Sequence, residues 1–102
     1  MEYHVPVMAH ECVEQLQLRP GGIYVDVTFG GGGHSRLILE KANDDPIRLF
    51  GFDQDEDAAN NTISEDDRFT FVAANFRHLK RYLRLYGITQ IDGLLADLGV
   101  SS

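Results

Sequence analysis

The residues best suited to chemistry in this sequence are a run of glycines and the segments on either side of it. Four consecutive glycines occupy positions 30–33. An apolar, β-branched run at 23–28 precedes them, and a helical pattern at 34–42 follows directly. A strand, a glycine loop and a helix in this order place bare backbone N–H groups and a helix N-terminus at a ligand. The loop is therefore predicted to be a binding site.

Three carboxylates stand at or near the ends of predicted strands. They are Asp26, Asp53 and Asp97. Ligands of open α/β sheets bind at the carboxyl ends of the strands. Asp53 lies 23 residues after Gly30, a spacing at which an acid commonly meets the hydroxyls of a ribose. Dinucleotide sites and S-adenosylmethionine sites share this spacing, so it does not distinguish them.

Charge favours S-adenosylmethionine as the ligand. A nicotinamide dinucleotide carries a pyrophosphate, which several nearby carboxylates would repel. S-adenosylmethionine has a sulfonium, an ammonium and a single carboxylate, and that carboxylate suits an amide-rich loop at a helix N-terminus.

The motif agrees with this choice. The segment beginning at Asp26 fits the methyltransferase pattern acid-x-Gly-x-Gly-x-Gly, with Thr28 in place of the first glycine. The dinucleotide fingerprint fits less well, because Ser35 stands where its third glycine or alanine belongs. No Gly-Lys-Ser/Thr follows the loop, which excludes a P-loop.

The rest of the chain alternates between strand and helix patterns. Such alternation predicts a parallel sheet with right-handed crossovers. The last strand is strongly apolar, as buried strands in the middle of a sheet are. We therefore expect the N-terminal part of a larger doubly wound domain, truncated after the fourth strand. The predicted strands are 23–28, 47–53, 69–74 and 91–97, and the predicted helices are 8–18, 34–42, 56–63 (capped by Asp55) and 75–86 (capped by Asn75).

The last predicted helix has two unlike faces. Its basic face is most simply a solvated helix side, and RNA contact is the alternative. The residues predicted to face inward are Phe76, Leu79, Leu83 and Tyr86, and the outward basic residues are Arg77, Lys80, Arg81 and Arg84.

Composition excludes several classes of protein. The chain has 102 residues, 43% of them hydrophobic and 25% charged, as in globular proteins. There is no membrane-length apolar run and no readable signal peptide. The formal charge of −7 argues against a broad phosphate-binding surface. A lone cysteine, Cys12, fits a reducing compartment, so we expect a cytoplasmic location, and no histidine or cysteine pair has metal-ligand spacing.

Several segments resemble one known family, the bacterial 16S ribosomal RNA cytosine-N4 methyltransferases (small-subunit methyltransferase H). The resemblance covers nearly the whole chain. It implies a Rossmann-like class I S-adenosylmethionine-dependent fold. Members of the family are longer, with a helical insertion and further strands, and often have Arg where Gly31 stands. The matching segments are HVPV (4–7), YVDVTFG (24–30), GGHS (32–35), NF (75–76) and DGLLADLGVSS (92–102).

The resemblance also implies roles for individual residues. It places Asp53 at the ribose, Phe76 near the adenine and Asp97 near the reaction centre. Together with the residue pattern, it gives the full set predicted to bind the cofactor: Asp26, Gly30, Gly32, Gly33, His34, Asp53, Phe76 and Asp97.

The expected reaction is transfer of the sulfonium methyl to the exocyclic N4 amine of a cytidine in 16S rRNA. Asp97 is the predicted catalytic residue, holding an N–H of the amine and taking its proton as a general base. The target base must be unpaired or splayed out to reach the site. We expect residues 1–102 alone to be inactive.

Two other functions remain open at this stage. One is an NAD(P)-dependent oxidoreductase domain, which calorimetry with the two cofactors would distinguish. The other is a non-catalytic cofactor-binding or interaction module. Such a module could associate with itself through the exposed sheet edge near the fourth strand.

Overall fold

The computed structural model describes residues 16–27 and 32–96. The predicted helix at 8–18 lies outside these ranges except for its last three residues, which are not helical. In chain order the elements are β1 (Ile23–Asp26), α1 (Gly33–Ala42), β2 (Arg48–Phe52), a 3₁₀ helix (Glu56–Asn61), β3 (Phe69–Val72), a second 3₁₀ helix (Phe76–His78), α2 (Leu79–Leu85) and β4 (Gly93–Leu95).

The four strands form one parallel sheet in the order β3-β2-β1-β4. Each strand is a short apolar run, and each pair in the sheet is joined through helical segments, as parallel pairing requires. The predicted α/β class and parallel sheet are confirmed. The fourth strand begins at Gly93 rather than at 91, because Asp92 Oδ2 accepts a hydrogen bond from Ile23 N at 2.8 Å beside the start of β1.

Both faces of the sheet are buried, which explains why its strands are almost continuously apolar. Neighbouring residues of one strand point to opposite faces. Tyr24 and Leu49 therefore join the core under α1, whereas Val25 and Phe50 join the core under α2. This two-layer burial fixes the register of β1, the strand that leads to the glycine loop.

Tyr24 takes the space that side chains would fill at two glycines. Its ring is only 1% exposed, and its hydroxyl accepts a hydrogen bond from Arg19 N at 2.9 Å. A Cβ on Gly22 would lie 2.5 Å from the Tyr24 hydroxyl oxygen, and one on Gly93 would lie 2.9 Å from Tyr24 Cδ1. Glycine is needed at both positions because the ring is held in place on all sides.

The predicted caps are present, but the helices they begin are tighter than expected. Asp55 accepts a hydrogen bond from Asp57 N, and Asn75 accepts one from Arg77 N. Both caps start 3₁₀ turns rather than α-helices. Gly87, with φ of +77°, follows the end of α2, in the left-handed conformation that glycine commonly adopts after a helix C-terminus.

The prediction that Phe76 faces inward was wrong, whereas Tyr86 is partly exposed and its ring still contacts the core. Phe76 is 54% exposed and Tyr86 is 43% exposed, whereas Leu83 is buried. A 3₁₀ turn has three residues per turn instead of 3.6, so Phe76 is out of phase with the apolar face of α2. Tyr86 comes after the last residue of α2, and its ring packs against Phe50 with centroids 5.1 Å apart.

Arg68 joins the start of β3 to the end of α1. Its guanidinium donates hydrogen bonds to the carbonyl oxygens of Asp45, at 2.8 Å, and Leu39, at 3.3 Å. It also donates to the Asp66 carboxylate, at 2.7 Å from Nη2. The hydrogen bonds from Arg68 lower the pKa of Asp66 below its ordinary value, and those same bonds raise the pKa of Arg68.

The helices in the described part of the chain are all too short or too polar to cross a membrane.

Candidate functional site

The carboxyl ends of the four strands meet at one edge of the sheet. The chain runs from β1 through α1 to β2 on one side, whereas β4 pairs with β1 on the other side. The strand order therefore reverses between β1 and β4. Open α/β sheets bind ligands at such a switch point, so this edge is the place to look for a site.

Asp26 ends β1 and is completely buried. Its Oδ2 accepts a hydrogen bond from the Ser35 hydroxyl at 2.7 Å, and Ser35 is also completely buried. This bond joins the end of β1 to the first turn of α1 across the glycine loop. Asp26 thus connects the end of β1 to the start of α1, and its predicted contact with the cofactor stays a prediction.

The start of α1 presents backbone rather than side chains. Gly32 is the N-cap, with φ of 85° and ψ of 5°, a left-handed conformation that glycine adopts at little cost. No atom of the described residues lies within 4 Å of the place where a Cβ on Gly33 would stand. His34 is buried, and its backbone N–H lies in the first turn of α1, the end of a helix that favours a bound anion.

Two acids after β2 have separate positions. Asp55 caps the first 3₁₀ helix. Asp53 is half-buried at the end of β2, where its Oδ1 accepts a hydrogen bond from Asp55 N at 2.8 Å. The capping task thus belongs to Asp55, and Asp53 lies at the rim of the sheet edge.

Asp53 and Phe76 line the same cleft, which has a volume of about 170 Å³. The cleft suits one ring system of a nucleoside, with a carboxylate and an exposed aromatic ring on its walls. Asn75 Nδ2 donates a hydrogen bond to Gln54 Oε1 at 2.8 Å and so joins the loops after β2 and β3. The lining residues are Val27, Phe52, Asp53, Gln54, Ala74, Asn75 and Phe76.

From the sequence, three strand-end acids near the ligand favoured S-adenosylmethionine, and the structure places one of them, Asp53, on the cleft. Of the three strand-end acids, Asp53 lines the cleft, Asp26 is buried against Ser35, and Asp97 lies outside the described residues. Gly30 lies outside them as well. Within the ranges 16–27 and 32–96, no group of His, Cys, Asp or Glu could hold a metal ion.

Two contacts that shape this site could not be predicted from the sequence pattern. Ser35 stands where the dinucleotide fingerprint has glycine or alanine, and that comparison carries no information on its hydrogen bond to Asp26. The Gln54–Asn75 bridge joins residues 21 positions apart, and the helix-cap pattern indicates only Asn75.

The parallel sheet, its strand order and the cleft at its switch point are those of the Rossmann-like class I methyltransferase fold. Solved methyltransferase structures share it. A proposed rRNA-methylase from Clostridium thermocellum aligns over 100% of this chain and 58% of its own, with a TM-score of 0.69 and 18% identity. A cyclopropane synthase from Mycobacterium tuberculosis aligns over 69% of this chain and 26% of its own, with a TM-score of 0.54 and 16% identity.

The chain belongs to the MraW methylase family, whose model matches residues 1–102. It is 60% identical over 100 residues to the ribosomal RNA small subunit methyltransferase H of Porphyromonas gingivalis, covering 98% of this chain and 32% of that protein. It is 59% identical over 102 residues to the protein of the same name from Christiangramia forsetii, covering 100% of this chain and 33% of that protein. The chain therefore spans about a third of the length of these relatives.

Replacing Ser35 with Ala should destabilise the fold by about 1–3 kcal/mol, because the buried Asp26 carboxylate loses a donor that water cannot replace. Urea denaturation would measure the loss. Ser64→Ala, at an exposed position, is the matched control and should change stability by less than about 0.5 kcal/mol. Equal midpoints for the two variants would show that the bond does not stabilise the loop.

Proposed function

We propose that this chain is the cofactor-binding part of an S-adenosylmethionine-dependent methyltransferase that acts on ribosomal RNA of the small subunit. Membership of the MraW methylase family supports the class of enzyme. The observation that carries the cofactor assignment is the placement of Asp53 and Phe76 on one cleft at the switch point of the sheet. The finer proposal, from the sequence resemblance, is methylation of the N4 amine of a cytidine in 16S rRNA.

The described residues fit the adenosyl part of the cofactor. The Asp53 carboxylate at the cleft rim would accept hydrogen bonds from ribose hydroxyls. The exposed ring of Phe76 would offer an apolar face to the adenine. The N–H groups at Gly33 and His34, together with the predicted contacts of Gly30 and Gly32, would hold the carboxylate of the methionine part.

Asp26 would help to position the start of α1 for cofactor binding. Its hydrogen bond to Ser35 sets where α1 begins. The N–H groups of the first helical turn are therefore aimed at a fixed point. Such pre-organisation reduces the entropy lost when a ligand binds.

Methyl transfer is proposed to depend on Asp97 and the backbone that follows it. When bound, S-adenosylmethionine supplies a methyl group on a positively charged sulfur. The N4 amine of cytosine is a poor nucleophile because its lone pair is delocalised into the ring. Asp97 would accept a hydrogen bond from the amine, draw the nitrogen toward a tetrahedral form and take the proton that leaves. The base would have to be unstacked to reach it.

Replacing Asp53 with Asn should weaken binding of S-adenosylmethionine by about 10–100-fold, because a charge-assisted hydrogen bond to the ribose is lost. Isothermal titration calorimetry on this chain measures the affinity. Asp57→Asn removes an exposed carboxylate that does not line the cleft, and it should change the affinity by less than about threefold.

The same titration tests the competing oxidoreductase function. A nicotinamide dinucleotide should show no measurable binding under conditions in which S-adenosylmethionine saturates the chain. Tighter binding of the dinucleotide, or an S-adenosylmethionine affinity that Asp53→Asn leaves unchanged, would overturn the cofactor assignment.

Replacing Asp97 with Ala in a full-length methyltransferase carrying this chain should lower turnover about 10²–10⁴-fold, the usual contribution of a general base. The affinity for S-adenosylmethionine, measured by calorimetry on the same variant, should fall much less. Equal losses in turnover and affinity would make Asp97 a binding residue instead.

The partner and location follow the same proposal. The substrate would be 16S rRNA in the small ribosomal subunit, bound largely by parts of the protein beyond this chain, and the location would be cytoplasmic. The helical insertion and further strands expected from the resemblance would complete the domain, so residues 1–102 alone should transfer no methyl group.

We also propose that the chain associates with itself through the outer edge of β4. Leu94 is 46% exposed there. Among the described strands β4 pairs only with β1, and a strand edge of that kind favours pairing with a second copy. Size-exclusion chromatography should show an apparent mass that rises with protein concentration. Leu94→Lys should restore the monomer, whereas Leu85→Lys, on the surface of α2, should not. A chain that stays monomeric at every concentration contradicts the proposal.

A further inference from the structure

Positive charge is concentrated in one stretch of this acidic chain. Residues 68–91 hold five of the nine Lys and Arg residues and none of the sixteen Asp and Glu residues. Apart from Arg68, which joins β3 to α1, these cations form one group that we call the basic stripe. The basic stripe consists of Arg77, Lys80, Arg81 and Arg84.

The four side chains of the basic stripe lie on the surface. All four are exposed. The ion pairs within the described part of the chain join Arg36 to Glu65 and Arg68 to Asp66, so they include no member of the stripe. Arg77 Nε donates a hydrogen bond to His78 Nε2 at 3.2 Å, which is a contact within the helical segment itself. The stripe therefore carries a concentrated charge that takes part in no ion pair among the described residues.

This arrangement opposes the stability of the helix that carries it. Positions three and four apart lie next to each other on a helix, and like charges there repel one another. Lys80 also lies in the first turn of α2, where the helix dipole disfavours a cation. On a helix face that contacts only solvent, alternating acidic and basic residues would stabilise the helix more than four cations do. A bound polyanion would remove the repulsion.

The stripe begins at the edge of the cofactor cleft. Phe76 lines that cleft, and Arg77 is the next residue. The opposite side of α2 packs through Leu83 onto the core that contains Phe50 and Phe52. The basic stripe therefore starts beside the cleft and follows a helix that is packed onto the sheet.

We infer that the basic stripe binds phosphates of the substrate RNA beside the cofactor cleft. The inference rests on the proposed function, because it takes the substrate to be RNA. Arg and Lys on a helix face are suited to phosphates spaced along a backbone, and arginine can bind a phosphate through two N–H groups at once. These contacts would position the strand without reading its sequence.

The inference can be tested with this chain and a fluorescently labelled single-stranded RNA, by anisotropy at several salt concentrations. The stripe variant combines Lys80→Gln, Arg81→Gln and Arg84→Gln. The slope of log K against log salt is negative, and losing three phosphate contacts should make it less steep by about 2. Binding should weaken about 10–100-fold near 0.1 M salt.

The matched control removes the same number of charges elsewhere. It combines Arg19→Gln, Lys41→Gln and Arg48→Gln, all at exposed positions, and should weaken RNA binding by less than about threefold. A third variant, with Lys80→Arg, Arg81→Lys and Arg84→Lys, keeps the charge and should keep the salt slope. Thermal melting and S-adenosylmethionine calorimetry on all variants show whether they fold.

Each result has a clear meaning. Equal losses in the stripe and control variants, or no RNA binding by the unmodified chain at low salt, would overturn the inference. Polyglutamate binding through the stripe as tightly as RNA would overturn it in favour of an acidic protein partner. A chain that binds RNA through the stripe but no S-adenosylmethionine would support the RNA surface while overturning the proposed cofactor site.

Discussion

Parallel pairing of β1 with two neighbours is the constraint on which the site depends. Val25 lies between Phe50 of β2 and Leu94 of β4, so β1 is held from both sides by backbone hydrogen bonds and by a core on each face. Because the strands are parallel, their carboxyl ends lie at one edge. Asp53 at the end of β2 and the turn after β3 come together for this reason.

The site is built in layers behind that edge. The Ser35–Asp26 hydrogen bond fixes the beginning of α1, and the Gln54–Asn75 bridge joins the loops after β2 and β3. Asp26 is also predicted to contact the cofactor, and Gln54 and Asn75 line the cleft. Asp55 and Asn75 cap the two 3₁₀ helices, so neither Asp53 nor Phe76 serves as a helix cap. Capping and ligand binding are thus divided between neighbouring residues.

Much of this could be predicted from the sequence, for identifiable reasons. Short apolar runs separated by helical patterns specify a parallel sheet, and the spacing from Gly30 to Asp53 indicated which strand end carries the acid at the cleft. The position of Phe76 could not be derived from periodicity. A helical pattern fits both a 3₁₀ turn and an α turn, and the choice between them depends on how the chain leaves β3. The roles of all the predicted site residues in cofactor binding and catalysis stay predictions.

The buried ring of Tyr24 has a consequence for how this sequence can vary. It occupies the volume that side chains at positions 22 and 93 would need, and Leu16 Cδ2 would also lie 3.1 Å from a Cβ on Gly93. A larger residue at either glycine is compatible with the sheet only if a smaller residue also replaces Tyr24. The strand before the loop and the strand on its far side must therefore mutate in concert, although they lie some 70 positions apart in the chain.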